Sequence, residues 1–352
     1  MSSPHSFRLF VRWAASAALS ILVGCVTTDR EAVVYRDAGS VEIVSAVMET
    51  TPVASGDDAA DDPAIWINQK SPSASRIFGT DKQSGIAVYD LSGRLFEFVP
   101  AGRPNNIDIR QNLKSSDGKV DVAGFSERES DSVGWLSIDD QGTPKLIALL
   151  STESPEPYGF CLGITTGKLV AYVTYKSGLI EQYRVDLANE LSMSLSDSYQ
   201  FDSQLEGCVQ DDESQVVFVG EEARGLWRLP LQQGRFAEPE LIDKVNGDTG
   251  IVADVEGVAL YKGDQQVILV SSQGNDSFAM YDLAYPHSFI KRFRIVRGET
   301  GIDGAQETDG LDATSVPLGN FFPEGMIVVQ DGFNEDPSGH QNFKVIVPPI
   351  TR

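Results

Sequence analysis

From Val41 onward, short apolar runs alternate with clusters of Asp, Gly, Ser and Lys along the chain. The runs are rich in β-branched and aromatic residues, and hardly anything between them repeats at the spacing of an amphipathic helix. The pattern therefore predicts an all-β chain of many short strands. A longer period is marked by an aromatic strand: Tyr89 in AVYDL, Trp135 in GWLSI, Tyr183 in EQYRV, Trp227 in LWRLP, Tyr281 in AMYDL and Phe343 in QNFKV. These lie roughly 44 to 62 residues apart, and six such units, each read as closing on its aromatic strand, predict a six-bladed β-propeller. Two β-sandwich domains are the alternative, although nothing between the units resembles a linker. Val41 to Met48 alternates as one further strand ahead of the first unit.

A second phase runs through the same cycles. A polar or acidic residue leads into an apolar strand at Asp62, Asp108, Tyr158, Glu206, Glu256 and Asp309. The first strand of each propeller blade is the innermost, so residues at these positions are expected to gather around one mouth of the central channel. One such residue alone is ordinary turn chemistry; recurrence at the blade period is not explained that way.

The N-terminus has a different character. Residues 1–24 contain no acid, and Arg8 and Arg12 precede an apolar stretch from Trp13 to Val23, the layout of a secretory signal too short to span a bilayer well. The stretch ends in Leu22-Val23-Gly24-Cys25, which resembles the bacterial lipobox, so Cys25 is expected to be the lipidated first residue of the mature chain. The expected organisation is a lipoprotein signal peptide over 1–24, a lipidated tether over 25–40 and the propeller over 41–352. The protein would be exported and lipid-anchored at the bacterial envelope, at the outer membrane of a Gram-negative host, as a monomer.

With 28 Lys and Arg against 51 Asp and Glu, the formal charge of −23 argues against nucleic acid as a partner. Four of the acids, Asp57, Asp58, Asp61 and Asp62, fall within six residues. Like charges this close raise one another's pKa, and a hard cation such as calcium would keep them ionised; a solvated loop is the plainer reading of this stretch alone. Only three histidines are present, at 5, 287 and 340, none in phase with the strands, which weighs against zinc, copper and a Ser-His-Asp hydrolase. Cys161 and Cys208 are either a disulfide or two buried apolar side chains. Lys82, Arg128, Lys176 and Arg224 recur near turns between strands. Beside an acidic metal rim they suggest an anionic substrate, or they are exposed hairpin cations that keep strand edges soluble, the reading preferred for Arg224.

DDPAIW at 61–66, GTDK at 79–82, AVYDLSG at 87–93, YGFCL at 158–162, EGCVQDDE at 206–213, DVEGVALY at 254–261, ETDGLDA at 307–313 and VQDGFN at 329–334 resemble, in order, the motifs of the β-propeller phytases. The resemblance runs from about Glu49 to Phe343. It implies a 3-phytase that hydrolyses myo-inositol hexakisphosphate (phytate) by attack of calcium-activated water, with several calcium ions and no covalent enzyme intermediate. Calcium ligands are implied at Asp61, Asp62, Glu206, Glu221 or its neighbour Glu222, Asp254, Glu256 and Asp309, with Glu49 as a further candidate. Phosphate contacts are implied at Lys82, Arg128, Tyr158 and Lys176. Family members often carry a second lysine after GTD, where this chain has Gln83, so one phosphate contact is expected to be missing. A calcium-dependent lactonase of the same fold and a non-catalytic envelope scaffold are the alternatives.

Overall fold

The computed structural model describes Met1 and residues 41–350 other than 117, 189, 336 and 337. The expected signal segment beyond Met1, the expected lipidation site at Cys25 and the expected tether lie outside the described residues. All the strands belong to one compact unit, Arg36–Arg352.

Short strands fold into six sheets, antiparallel apart from one added parallel strand, here blades I to VI. Their innermost strands are Ala60–Trp66, Pro104–Ser115, Pro157–Thr165, Leu205–Asp211, Val255–Lys262 and Leu311–Thr314. Each innermost strand packs against the next, and that of blade VI returns to blade I, which closes the ring. Among the described residues there is no α-helix. The six-bladed all-β architecture is the one the aromatic period predicts.

Two details differ from that expectation. The aromatic strand is third in its blade, not last, because an outer strand follows it in blades I to V. Tyr89, Trp135, Tyr183, Tyr281 and Phe343 are buried, since the third strand is covered by sheets on both faces; Trp227 is only half-buried. The stretch read as one strand over Val41 to Met48 is two. Val41–Val44 runs parallel to Phe289–Ile295 as a fifth strand of blade V, and Met48–Glu49 pairs with Asn342–Ile346 as the fourth strand of blade VI. One N-terminal segment thus supplies the outermost strands of two neighbouring blades where the ring is closed.

The core lies between blades. Ala64, Trp66, Phe78 and Val88 of blade I pack with Ile107, Ala123, Phe125 and Leu136 of blade II in one buried cluster, and equivalent clusters fill the other seams. Blades approach closely enough that a Cβ on Gly79 would lie 2.2 Å from the Phe343 ring. Cys161 and Cys208 form a disulfide, with Cα atoms 5.6 Å apart, joining the innermost strands of blades III and IV.

Candidate metal and phosphate site

One backbone irregularity, repeated blade by blade, builds the site. Pairing of the innermost strand with the second slips between Ala60 and Pro63, Pro104 and Ile107, Pro157 and Phe160, Leu205 and Cys208, and Val255 and Val258. A bulge of this kind bends the strand and re-aims a side chain. The first residue of each slip is Asp61, Asn105, Tyr158, Glu206 and Glu256, and Asp309 stands at the matching point ahead of Leu311 in blade VI. In blades III to VI the next residue is glycine. A Cβ on Gly159 would lie 2.0 Å from the Glu206 carbonyl oxygen, and one on Gly207 would lie 2.4 Å from that of Glu256, so only glycine lets successive bulges press together. The ring is stitched by hydrogen bonds from the Gly257 amide to the Asp309 carbonyl at 3.1 Å and from the Gly310 amide to the Asp61 carbonyl at 3.2 Å.

Blade II departs from the expected phase. Asn105, not Asp108, holds the rim position; Asp108 lies three residues further in, where it accepts the Leu162 amide at 2.8 Å and pairs with Arg110 at 2.9 Å. Asp62 follows the rim residue of blade I and accepts the Ile107 amide at 2.9 Å. Both border a cavity of about 240 Å³ within the channel, with Arg110 and Asp312.

A second ring comes from the turns after the second strands. The residues that follow those strands are Lys82, Arg128, Lys176, Glu222, Gln273 and Gly332 in blades I to VI. The last residue of the strand itself points the other way. Glu127 accepts the amides of Arg103, Glu129 and Ser130, and Asp331 accepts those of Gln306 and Phe333. Glu221 belongs to this structural series: its carboxylate accepts the Ser203 amide at 2.8 Å and the Trp227 indole N–H at 2.9 Å. Strand alternation turns Glu221 into the blade and leaves its neighbour Glu222 on the rim, so of the two candidates Glu222 faces the site.

The two rings divide the mouth by charge. On blades IV and V, single oxygens of Glu206, Glu222 and Glu256 lie within 4.8 Å of one another, all three residues buried. The Asn105 amide donates to Glu206 at 2.7 Å. Burial, then the charge of Glu206, pushes Glu256 well above the usual carboxylate range and Glu222 up to about 8, with Asp254 adding to the latter. On blades VI and I, Lys82 lies 3.2 Å from both Asp61 and Asp309 and 2.6 Å from Asp58. Burial opposes its charge, but these carboxylates outweigh the penalty and hold the ammonium above its ordinary pKa. Burial raises Asp61 well above the usual range despite Lys82, and Asp309 to about 6. Gln273 also donates to Asp309.

Blades I to III carry the cations. Lys176 sits 4.3 Å over the Tyr158 ring. The Tyr158 hydroxyl is raised far above an ordinary phenol by burial and by Glu206 and Asp61, and so stays protonated. Arg128, Lys82, Gln83, Asp58 and Arg103 line a cleft of about 410 Å³. Gln83 donates to the Gly56 and Asp58 carbonyls at 2.9 and 3.1 Å, bracing the loop that carries Asp58. Arg224 points to Asp202 at 3.1 Å instead, in keeping with its reading as a surface cation. Glu49 lies elsewhere, bound by the buried Lys344.

Do these residues fit a divalent cation? Asp61 Oδ1, Asn105 Oδ1 and Glu256 Oε2 are buried without a hydrogen-bond partner. Buried oxygens are seldom left so, and a cluster of three carboxylates is costly unless a cation joins it. The donors are hard oxygens with no sulfur or imidazole among them, a set that suits calcium. Asn105, Arg103 and Gln273 are site residues that the sequence reading misses. Asn105 and Gln273 stand in the blade period and are legible there; Arg103 carries no periodic signal.

The family model described as Phytase matches residues 11–348. A 3-phytase of Bacillus subtilis (strain 168) is 37% identical over 318 residues, which cover 86% of this chain and 83% of that protein. Among solved structures, BBS1N in its crystal structure with ARL6DN matches with a TM-score of 0.48 and 11% identity, covering 82% of this chain and 79% of that one. So low a likeness carries no argument about function.

Proposed function

The chain belongs to the phytase family and is a 3-phytase that hydrolyses phosphate monoesters of phytate; we propose that it does so with calcium ions held by the acidic half of the channel mouth. The observation that carries this reading is the convergence of Glu206, Glu222 and Glu256 on one point. Those three would hold one ion, with Asp254 beside them, and Asp61, Asp309 and Asp58, now gathered on Lys82, would hold another. When bound, calcium supplies positive charge to offset the phosphate and lowers the pKa of a bound water for attack at phosphorus.

The chain's own groups do the rest. Lys82, Arg128 and Lys176 can donate to the equatorial oxygens as charge shifts to the leaving alcohol. The protonated Tyr158 hydroxyl donates from the seam between the two halves, under the Lys176 ammonium. Arg103 and Arg128 line the cleft beside these groups, where a neighbouring phosphate of a polyphosphorylated ring can be gripped. A lactone would need none of these cations, and family membership leaves the scaffold reading without support.

A chain of formal charge −23 repels a hexaphosphate until cations load the mouth. Loading must also displace protons, since burial pushes the Asp309 carboxyl up to about 6 and burial together with Glu206 pushes Glu222 up to about 8. Raised carboxyls favour the folded state at low pH and cost stability as pH climbs past their unfolded values toward their folded ones. The metal-free protein is therefore expected to lose melting temperature from about pH 4 to about pH 8, and calcium to stabilise it most at the upper end. Thermal unfolding with calcium or a chelator across that range, alongside phosphate release from phytate, tests the proposal. A calcium shift of equal size at both ends, or release unaffected by chelator, would refute it.

The lipid anchor at Cys25 is carried as part of the same proposal, motivated by the lipobox-like LVGC. Cys25→Ser is expected to move the protein from the membrane fraction to the soluble one; an unchanged distribution would exclude the anchor.

A further inference from the structure

We propose that the Cys161–Cys208 disulfide is a positioning element of the site, holding Glu206 and Tyr158 in register so that the acidic cluster can take up calcium. This rests on the calcium reading above and goes beyond it.

The bond sits directly behind the rim. Cys208 is the first residue to resume strand pairing after the slip that carries Glu206, opposite Val219. On the other side Phe160 resumes pairing after the slip that carries Tyr158, and Cys161 is next. The two strands belong to different sheets, so no backbone ladder joins them.

This seam is thinly held without the sulfurs. Between blades V and VI and between VI and I, a backbone amide of one rim bulge donates to a rim carbonyl of the next, and between I and II the Ile107 amide donates to Asp62. Among the described residues no backbone hydrogen bond links the rim bulges of blades III and IV, as none links those of II and III, where Ser126 Oγ donates to the Tyr158 carbonyl, or of IV and V. Between III and IV the contacts are Thr174 Oγ1 donating to the Glu206 carbonyl at 2.7 Å and the close approach of Gly159, which has no side chain to interlock. Further down the same seam the Ile164 amide donates to Asp212 at 2.8 Å, so the weak point is at the site itself.

It is also where position matters. Glu206 faces Glu222 and Glu256 with single oxygens within 4.8 Å of one another, and any displacement of the blade IV bulge would carry its carboxylate out of that cluster. A covalent bond two residues away resists that displacement, as a group behind a metal ligand fixes the ligand's aim.

The test is a calcium isotherm by titration calorimetry on the full chain in three states: oxidised, reduced by dithiothreitol, and Cys161→Ser/Cys208→Ser. In the reduced arm the S–S bond breaks, each sulfur takes up an electron and a proton, and the dithiol closes to its own disulfide. Because both sulfurs are buried, the serine variant is the primary arm; should it fail to fold, the reduced wild-type chain gives the comparison. The expected result is a rise in the calcium dissociation constant of roughly tenfold or more in both arms, the scale on which removing outer support weakens metal sites. The half-saturating calcium for phytate hydrolysis should move by the same factor. A lower melting temperature with an unchanged isotherm would mean that the bond only stabilises the fold, and would overturn the proposal. If the oxidised wild-type chain takes up no calcium, the failure lies with the calcium reading itself.

Discussion

Glu256→Gln is expected to lower kcat/KM for phytate by at least about 100-fold, more than is usual for a group that only supports a metal ligand. The substitution keeps shape and removes charge. Glu256 is buried, shares the cluster with Glu206 and Glu222, and has Oε2 without a partner. Its carboxyl is raised well above the usual range, chiefly by burial and then by Glu206. Removing a charge that the metal-free fold tolerates poorly should therefore raise the melting temperature in chelator while abolishing most of the stabilisation by calcium. The two effects have opposite signs, which separates a metal ligand from a group that merely holds the blade. Activity near wild type, or a lower melting temperature in chelator, would contradict the assignment.

Lys344→Met is expected to cost on the order of 3–5 kcal/mol, the usual penalty for removing one partner of a buried ion pair. Lys344 Nζ has no exposed side-chain surface and meets Glu49, Asp303 and Asp331, the last at 3.2 Å, together with Asn334 Oδ1 at 3.1 Å. Glu49 lies in the N-terminal strand, Asp303 ahead of blade VI and Asp331 within it, so one ammonium ties the segment that closes the ring to the blade it completes. Burial keeps the Asp331 carboxyl at about 6 even against Lys344. Without the cation the three acids must protonate, so the loss should be smaller near pH 5 than near pH 8. Chemical denaturation of the variant at both pH values measures this. A loss below about 1 kcal/mol at pH 8, the scale of a surface pair, would mean that the cluster does not hold the closure.

Much of this is legible in the chain itself, and the exceptions have physical reasons. The aromatic period counts blades correctly because the third strand buries a large side chain in five blades, at Tyr89, Trp135, Tyr183, Tyr281 and Phe343, and half-buries Trp227 in blade IV. It does not say which strand of the blade that is, since third and outer strands both read as short alternating runs. The rim acids Glu206, Glu256 and Asp309 recur at the blade spacing and can be found the same way. Blade II cannot be phased by charge: Asn105 does there with an amide what its counterparts do with carboxylates, and the nearby Asp108 draws the eye. Whether Asp61 or Asp62, Glu221 or Glu222 faces the channel turns on a backbone slip or on strand parity. Neither leaves a mark in the hydrophobic pattern. Lys344 in QNFKV reads as the polar side of a half-exposed strand, and only the closure of the ring makes it an internal cation. The Cys161–Cys208 bond likewise depends on two innermost strands meeting at a blade seam.

The division of the mouth into an acidic side on blades IV to I and a cationic side on blades I to III is what links fold to chemistry here. Each side alone is commonplace on a protein surface. Together they set an acidic oxygen cluster of the kind that suits divalent cations beside basic groups of the kind that suit phosphate, built from the same bulge and the same turn repeated around a ring.

An anomalous difference map from crystals grown in calcium is the decisive measurement. Peaks are expected among Glu206, Glu222 and Glu256 and beside Asp61 and Asp309, with Lys82 drawn off the two aspartates. Carboxylates at these positions with no anomalous density at millimolar calcium would contradict the calcium reading.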